Sequence, residues 1–197
     1  MKITLTLEGQ KEKTVLPLQH NHFVQAAIYQ LLDPIYADFL HQVGYVFKQR
    51  QFRLFSFSRL LGNYLVDSKK GTISFTGPVR LIVLTPITQV TEDIINSLIL
   101  GREFRVGRQK LFAIGAAIDQ PETTKKAITI QTLSPIVSYS TMERPDGRKF
   151  TYYFEPRESD FSRLVEGNLF KKYNAWEEHT PVTEDEFSFS IEPVGKT

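Results

Sequence analysis

Two side chains able to transfer protons, His41 and Tyr29, leave the apolar side of two neighbouring predicted helices. At about 100° per residue, the apolar residues of segment 35–43 fall within one arc of roughly 140°, and His41 points almost opposite the middle of that arc. Tyr29 projects in the same way from the apolar stripe of segment 23–32. Because an imidazole ionises near neutral pH, this pair suits acid–base chemistry.

Basic residues follow His41 closely along the chain. Lys48, Arg50 and Arg53 come within the next twelve positions, and no Asp or Glu occurs between residues 39 and 66, where Arg59 also lies. Cations beside proton-transfer groups suit chemistry on a phosphodiester. The alternative is that the histidine and the basic residues are simply solvated surface groups, which is the usual case for either feature alone. Their occurrence together favours a site.

The charge of the chain is unevenly distributed. Residues 1–149 carry 19 Lys and Arg against 12 Asp and Glu, whereas residues 150–197 carry 5 against 10. A second basic cluster comprises Arg102, Arg105, Arg108 and Lys110. A local excess of positive charge favours a polyanionic partner, although many solvated faces are basic as well.

Length and composition exclude several classes of protein. The 197 residues, 41% of them hydrophobic, suit one large domain or two small ones with a real core. No apolar run approaches the ~20 residues needed to span a bilayer, and the N-terminus lacks the apolar region of a signal peptide, so we expect a cytoplasmic protein. Without cysteine there is no disulfide or thiolate metal site, and the pair His20 and His22 has no third ligand nearby.

The first two thirds of the chain predict a ferredoxin-like order of elements, β-α-β-β-α-β. The predicted strands are Lys2–Glu8, Phe52–Ser58, Thr72–Thr76 with Pro78–Thr85, and Phe104–Ile118 with a bend at Gly107. The helix at 35–43 should begin with Asp33 as its N-cap and Pro34 as its first residue, and end at Gly44. A later helix should be capped by Thr91 and end at Gly101.

A polar linker, residues 120–126, then separates a first domain, 1–119, from a second domain, 127–197. The second domain should contain a strand at Ala127–Thr132, a hairpin at Ser138–Phe154 around Pro145-Asp146-Gly147, a helix at Glu158–Trp176 and a strand at Glu186–Ile191. These elements open a second ferredoxin-like unit and lack its end.

Several segments together resemble the sixth Cas family, the CRISPR-associated endoribonucleases that process repeat RNA. The similar segments are Leu16–His22 running into Ala27-Ile28-Tyr29, Phe39–Gly44, Arg53–Ser58, Thr132–Ile136 and Asn168–Tyr173. No single motif is specific, and the resemblance depends on their shared order and spacing from residue 3 to about residue 190.

The resemblance implies an α+β fold of tandem ferredoxin-like (RRM-like) domains. It also implies metal-independent cleavage of CRISPR repeat RNA, in which a 2′-hydroxyl attacks the adjacent phosphate and leaves a 2′,3′-cyclic phosphate and a 5′-hydroxyl. By position, two catalytic residues fall on Tyr29 and His41, and the third on Lys48 or Arg53. The residues that we expect to bind RNA are Arg50, Arg53, Arg59, Arg105 and Arg108.

The partners expected from this interpretation are CRISPR repeat RNA, a CRISPR effector complex and a second copy of the chain, with no membrane, metal or cofactor. The family normally ends in a glycine-rich segment, whereas Gly195 is the only glycine among the last 30 residues, so the second domain should stop before that segment. Two other functions stay open: a non-catalytic RNA-binding or complex-forming CRISPR subunit of the same fold, and an interaction module without RNA.

Overall fold

The structure, a computed structural model, describes residues 1–120, 127–132, 135–176, 180–187, 190–192 and 194. The chain divides into two compact units. The first consists of residues 1–44 and 53–134, and the second of residues 45–52 and 135–197. None of the described helices is both long and apolar enough to cross a membrane.

The described residues form eleven strands and four helices. In chain order, the elements are β1 (Lys2–Gly9), β2 (Lys13–Pro17), α1 (Asn21–Leu31), α2 (Pro34–Gln42), β3 (Tyr45–Phe47), β4 (Arg50–Phe52), β5 (Ser56–Phe57), β6 (Leu61–Asp67), β7 (Thr72–Leu84), α3 (Thr88–Ile99), β8 (Phe104–Val106), β9 (Gln109–Asp119), β10 (Tyr139–Glu143), β11 (Lys149–Tyr153) and α4 (Ser159–Trp176). Strands β3 and β4, the hairpin β10–β11 and helix α4 belong to the second unit.

One antiparallel sheet organises the first unit. Strand β7 pairs with β1 and β2 along one edge and with β5 and β6 along the other, and β9 and then β8 follow β1. The central strands β6, β7, β1 and β9, together with α1 and α3, have the predicted ferredoxin-like arrangement. The 13-residue β7 is long enough to pair with β1 and β2 in turn on one side and with β5 and β6 on the other.

The core of this unit lies between the sheet and its helices. Alternate residues of β1, Ile3, Leu5 and Leu7, are fully buried because the side-chain period of a strand is two. The apolar residues of α1 and α3 that are buried with them are Val24, Ala27, Ile28, Leu31, Val90 and Ile94. This packing fixes the phase of α1 and so determines which of its side chains face solvent.

Helix α2 is attached more lightly than its sequence predicts. Asp33 caps it as expected, since the Asp33 carboxylate accepts hydrogen bonds from the backbone N–H groups of Ile35 and Tyr36. The predicted apolar arc is not a buried face, however, because Ile35 is 83% exposed and Val43 is 47% exposed. Of the nine residues of α2, all of them described, Leu40 is the one that is buried.

Other predicted elements of the first unit need correction. The strand expected at Phe52–Ser58 is interrupted, because Leu54 adopts a left-handed conformation with φ of 50°. Helix α3 begins at Thr88, so Thr91 lies inside it and is not its cap. The bend expected at Gly107 is a hairpin turn between β8 and β9, with φ of 61°. Strands β2 and β6 were not predicted at all.

The second unit contains the hairpin predicted around Pro145-Asp146-Gly147 and the predicted long helix, which is α4. It also contains the unpredicted hairpin β3–β4. The strand predicted at Ala127–Thr132, in the first unit, is wrong, since those residues, all described, form no strand. The described residues of 186–191 are not in a strand either, while 188 and 189, like 121–126 of the predicted linker, lie outside the described residues.

Because Leu40 is the one buried side chain of α2, we expect Leu40→Ala to lower the free energy of unfolding by about 2–5 kcal/mol, the usual cost of emptying a buried leucine site. Urea denaturation measures this change. Ile35→Ala, on the exposed side of the same helix, is the matched control and should change the free energy by less than about 0.5 kcal/mol. Equal effects of the two substitutions would contradict this expectation.

Candidate active site

Tyr29 and His41 are neighbours in the first unit. Their ring centroids are 6.3 Å apart, and the rings meet edge to face at 78°. The short connection between α1 and α2 brings them together: the backbone N–H of Leu32 donates to the carbonyl of Tyr29, and Asp33 starts the next helix. The His41 side chain is exposed and the Tyr29 side chain is half-buried, so a substrate in solution can reach both.

Arg53 holds the end of α2 in place. Its two terminal nitrogens donate to backbone carbonyls of that helix end, Nη2 to His41 at 2.8 Å and Nη1 to Val43 at 3.2 Å. The last carbonyls of a helix have no partner within the helix, and the fork of a guanidinium can satisfy two of them at once. Arg53 therefore fixes the backbone that carries His41.

The backbone of Leu54 orients the residues on both sides of it. A left-handed conformation is rare for leucine and marks a turn or stored strain. The carbonyl of Leu54 accepts a hydrogen bond of 2.9 Å from the Thr85 hydroxyl, which ties this turn to the end of β7. Phe55 then meets the Tyr29 ring edge to face at 5.6 Å. Tyr29 thus has His41 and Phe55 as ring neighbours and Arg53 close by.

Burial raises the pKa of the Tyr29 hydroxyl above its ordinary value of 10.0. The Arg53 guanidinium acts in the opposite direction, because its positive charge and its hydrogen bond favour the phenolate, but burial is the larger effect. The phenol therefore stays protonated at neutral pH and can donate a hydrogen bond or a proton.

Lys48 and Arg50 lie in the second unit, on the hairpin β3–β4. Lys48 occupies the two-residue turn with φ of 55°, and its ammonium group lies 5.4 Å from the centre of the Phe47 ring. Lys48, Arg50 and Lys171 of α4 line one shallow depression. Three cations are thus grouped in this unit, and Lys171 is one that the sequence analysis did not single out.

The remaining predicted RNA-binding residues are in the first unit. Arg59 is exposed just before β6. Arg105 forms an ion pair with Glu103 at 3.0 Å, and Arg108 is exposed in the turn between β8 and β9. Arg105 and Arg108 belong to the β8–β9 hairpin and Arg59 precedes β6, whereas Tyr29, His41 and Arg53 are gathered together.

The two histidines considered as a metal pair do not converge. His20 is buried and its Nδ1 donates to the carbonyl of Pro17 at 2.9 Å, whereas His22 is exposed and its ring lies 3.8 Å from that of Phe23. No three histidine or carboxylate side chains come together as a metal site in the part of the chain that the structure describes.

Two family models cover nearly the whole chain. The model for "CRISPR-associated protein Cas6, N-terminal" matches residues 15–116, and the model for "CRISPR associated protein Cas6, C-terminal" matches residues 118–197. The chain therefore belongs to the CRISPR-associated Cas6 family, as its sequence motifs predict. No curated protein sequence matches the chain significantly.

Solved structures agree with this assignment. The chain is similar to one titled "CRISPR associated protein Cas6", with 29% identity, a TM-score of 0.63, and coverage of 91% of this chain and 72% of that one. A Cas6-related protein from Pyrococcus furiosus has 18% identity and a TM-score of 0.72 over 92% of this chain and 72% of its own. "An RAMP protein binding different RNA substrates" has 20% identity and a TM-score of 0.68, covering 92% and 73%. The predicted fold class of tandem ferredoxin-like domains is confirmed.

Since Arg53 lowers the pKa of Tyr29 against the effect of burial, we expect Arg53→Gln to raise that pKa further. NMR titration of a chain labelled with carbon-13 at the tyrosine ring, assigned with Tyr29→Phe, measures the shift. Arg59→Gln, which removes the same charge from an exposed position, should leave the Tyr29 titration unchanged. A fall in the Tyr29 pKa in Arg53→Gln would contradict the placement of the guanidinium.

Proposed function

We propose that this protein is an endoribonuclease that processes CRISPR repeat RNA. Its membership of the Cas6 family supports this function, and one structurally similar protein is described as binding different RNA substrates. The observation that carries the proposal is the pair of Tyr29 and His41, two groups able to transfer protons, side by side and open to solvent.

The proposed reaction uses a nucleophile that the RNA itself contains. His41 removes the proton from a ribose 2′-hydroxyl, and O2′ then attacks the adjacent phosphorus. The bond from phosphorus to O5′ breaks, and Tyr29 donates its proton to the leaving O5′. The products are a 2′,3′-cyclic phosphate and a 5′-hydroxyl. In this proposal Tyr29 is the acid because its phenol is protonated at neutral pH, and the Arg53 charge beside it favours the phenolate that forms when the proton is donated.

Arg53 has a positioning role in this proposal. Both of its terminal nitrogens already donate to the carbonyls of His41 and Val43, so its main task is to hold α2. Its positive charge also lies beside Tyr29, where it favours the phenolate that forms when the proton is donated. The catalytic role of Lys48 stays a prediction, as do RNA binding by Arg50 and Arg59, an effector complex and homodimer formation.

A metal ion has no necessary part in this chemistry. In metal-dependent nucleases, a bound ion commonly generates hydroxide as the nucleophile, whereas here the 2′-hydroxyl is already tethered next to the phosphate. We therefore propose that cleavage proceeds without a divalent ion, and an assay in excess EDTA tests this directly.

We expect His41→Ala to reduce the rate of single-turnover cleavage of repeat RNA about 10²–10⁴-fold, the usual range for a positioned acid–base group, with RNA affinity nearly unchanged. Gel analysis of end-labelled RNA measures the rate, and Gln42→Ala, at the next exposed position of α2, is the matched control.

Two further results would test the mechanism independently of folding. An RNA with a single 2′-deoxyribose before the cleaved phosphate should not be cut, because the nucleophile is missing. The upstream product should carry a cyclic phosphate that acid opens. The mechanism would be contradicted by full activity of His41→Ala, by strict dependence on a divalent ion, or by cleavage of the deoxy-substituted RNA. If the protein binds repeat RNA and does not cleave it, a non-catalytic subunit is favoured.

The pH dependence of cleavage follows from the direction of the Tyr29 shift. A raised pKa means that the phenol loses its proton only above pH 10, so the decline in rate due to Tyr29 should lie above that value. Tyr29→Phe should slow cleavage and remove this decline, measured against the spontaneous hydrolysis of RNA without protein. If the cleavage rate instead declines below pH 10, and Tyr29→Phe removes that decline, the pKa of Tyr29 is not raised as described here.

A further inference from the structure

A second concave surface of the first unit lies between α1 and the β8–β9 hairpin, and we call it the α1 groove. Phe23, Ala26 and Gln30 of α1 form one wall, Arg105 and Arg108 of the hairpin form the other, and residues of β2 complete it. Its volume is about 500 Å³, within the range of ~300–1,000 Å³ typical of small-ligand pockets. The groove thus has room for a group of nucleotide size.

The Phe23 ring lies at the junction of the two walls. A Cβ atom added to Gly107 in the hairpin turn would be 3.5 Å from the ring, so the turn lies beside Phe23. The ring is only half-buried, and on the same wall Ala26 contributes a short side chain. The His22 ring, whose centre lies 3.8 Å from that of Phe23, covers part of the aromatic surface, and the part left exposed is available to the groove.

The charge of the groove is positive and partly unmatched. Glu103 forms ion pairs with both Arg105 and Lys110, at 3.0 and 2.8 Å. Arg108 has no carboxylate partner among the residues that the structure describes, and its side chain is exposed. An apolar groove with an aromatic ring and an unpaired guanidinium at its edge is complementary to a base joined to a phosphate.

We propose that the α1 groove binds one unpaired nucleotide of the RNA substrate, with its base against Phe23 and its phosphate on Arg108. This subsite deepens the proposed function and rests on it. The amide of Gln30 has both donors and an acceptor and lies in the same wall, so it can meet the edge of the bound base.

The subsite and the candidate active site share one helix. Phe23, Ala26 and Gln30 lie along one side of α1, and Tyr29 precedes Gln30. At about 1.5 Å per residue, Phe23 and Tyr29 are ~9 Å apart along the helix axis, a distance that a few linked nucleotides can span. The nucleotide in the groove therefore lies close in sequence to the cleaved phosphate.

Fluorescence anisotropy with a labelled repeat RNA tests the subsite on the full chain. Phe23→Leu keeps an apolar side chain and removes the ring, and we expect it to weaken binding about 5- to 50-fold. Arg108→Ala should weaken binding and reduce by about one the slope of log affinity against log salt. Arg102→Ala, an exposed arginine that does not line the groove, is the control and should lower the affinity less than Arg108→Ala.

Photo-crosslinking to the unsubstituted protein identifies the nucleotide that lies in the groove. RNAs with 4-thiouridine at single positions near the cleavage site should crosslink to residues 23–30 from one position, and Phe23→Leu should reduce that crosslink. The subsite is overturned if Phe23→Leu and Arg108→Ala both bind RNA like the wild type, or if the crosslinks map elsewhere. If the subsite fails but the wild type still cleaves RNA and His41→Ala does not, the proposed function is intact. If RNA binding depends on the groove but the wild type does not cleave, the proposed function is overturned and the subsite is not.

Discussion

The pairing of β7 on both of its edges is the constraint on which the candidate active site depends. At its C-terminal end β7 pairs with β1 on one side and with Ser56 and Phe57 of β5 on the other. Thr85, directly after the strand, holds the carbonyl of Leu54. This bond fixes the turn on which Arg53 and Phe55 lie. The sheet is therefore connected to the active site by the two-residue strand β5 and by the hydrogen bond between Thr85 and Leu54. A local change at Leu54 would therefore reach Tyr29 and His41 without touching either ring.

The positions of His41 and Tyr29 around their helices predicted from the sequence that His41 is exposed and that Tyr29 is partly exposed. The packing of α2 that accompanies this exposure was not predicted. The apolar arc of α2 implied a buried face, yet Ile35 and Val43 are exposed and Leu40 is the one residue of the helix that is buried. A periodic pattern shows which residues share a face and says nothing about whether another element covers that face. The prediction of the helix was therefore better than the prediction of its packing.

Other features had no signal in the sequence. Left-handed conformations are expected at glycine or asparagine, so nothing about Leu54 or Lys48 indicated the interrupted strand or the β3–β4 hairpin. The strands β2 and β6 depend on the length of β7, which is a tertiary property. The hydrogen bonds from Arg53 to backbone carbonyls could not be predicted either. A run of basic residues in a sequence does not show which of them bind the protein's own backbone and which remain available to a ligand.

The position of β1 in the sheet has a consequence for biosynthesis. It leaves the ribosome before every other described strand of its sheet, yet its two neighbours are residues 79–84 of β7 and residues 111–119 of β9. Its alternate side chains are among the most deeply buried of the chain, so they remain exposed to solvent until a further hundred or so residues have been translated. Non-local pairing of this kind slows folding and prolongs the exposure of apolar surface. The nascent chain therefore completes this sheet late, only when residue 119 has emerged from the exit tunnel.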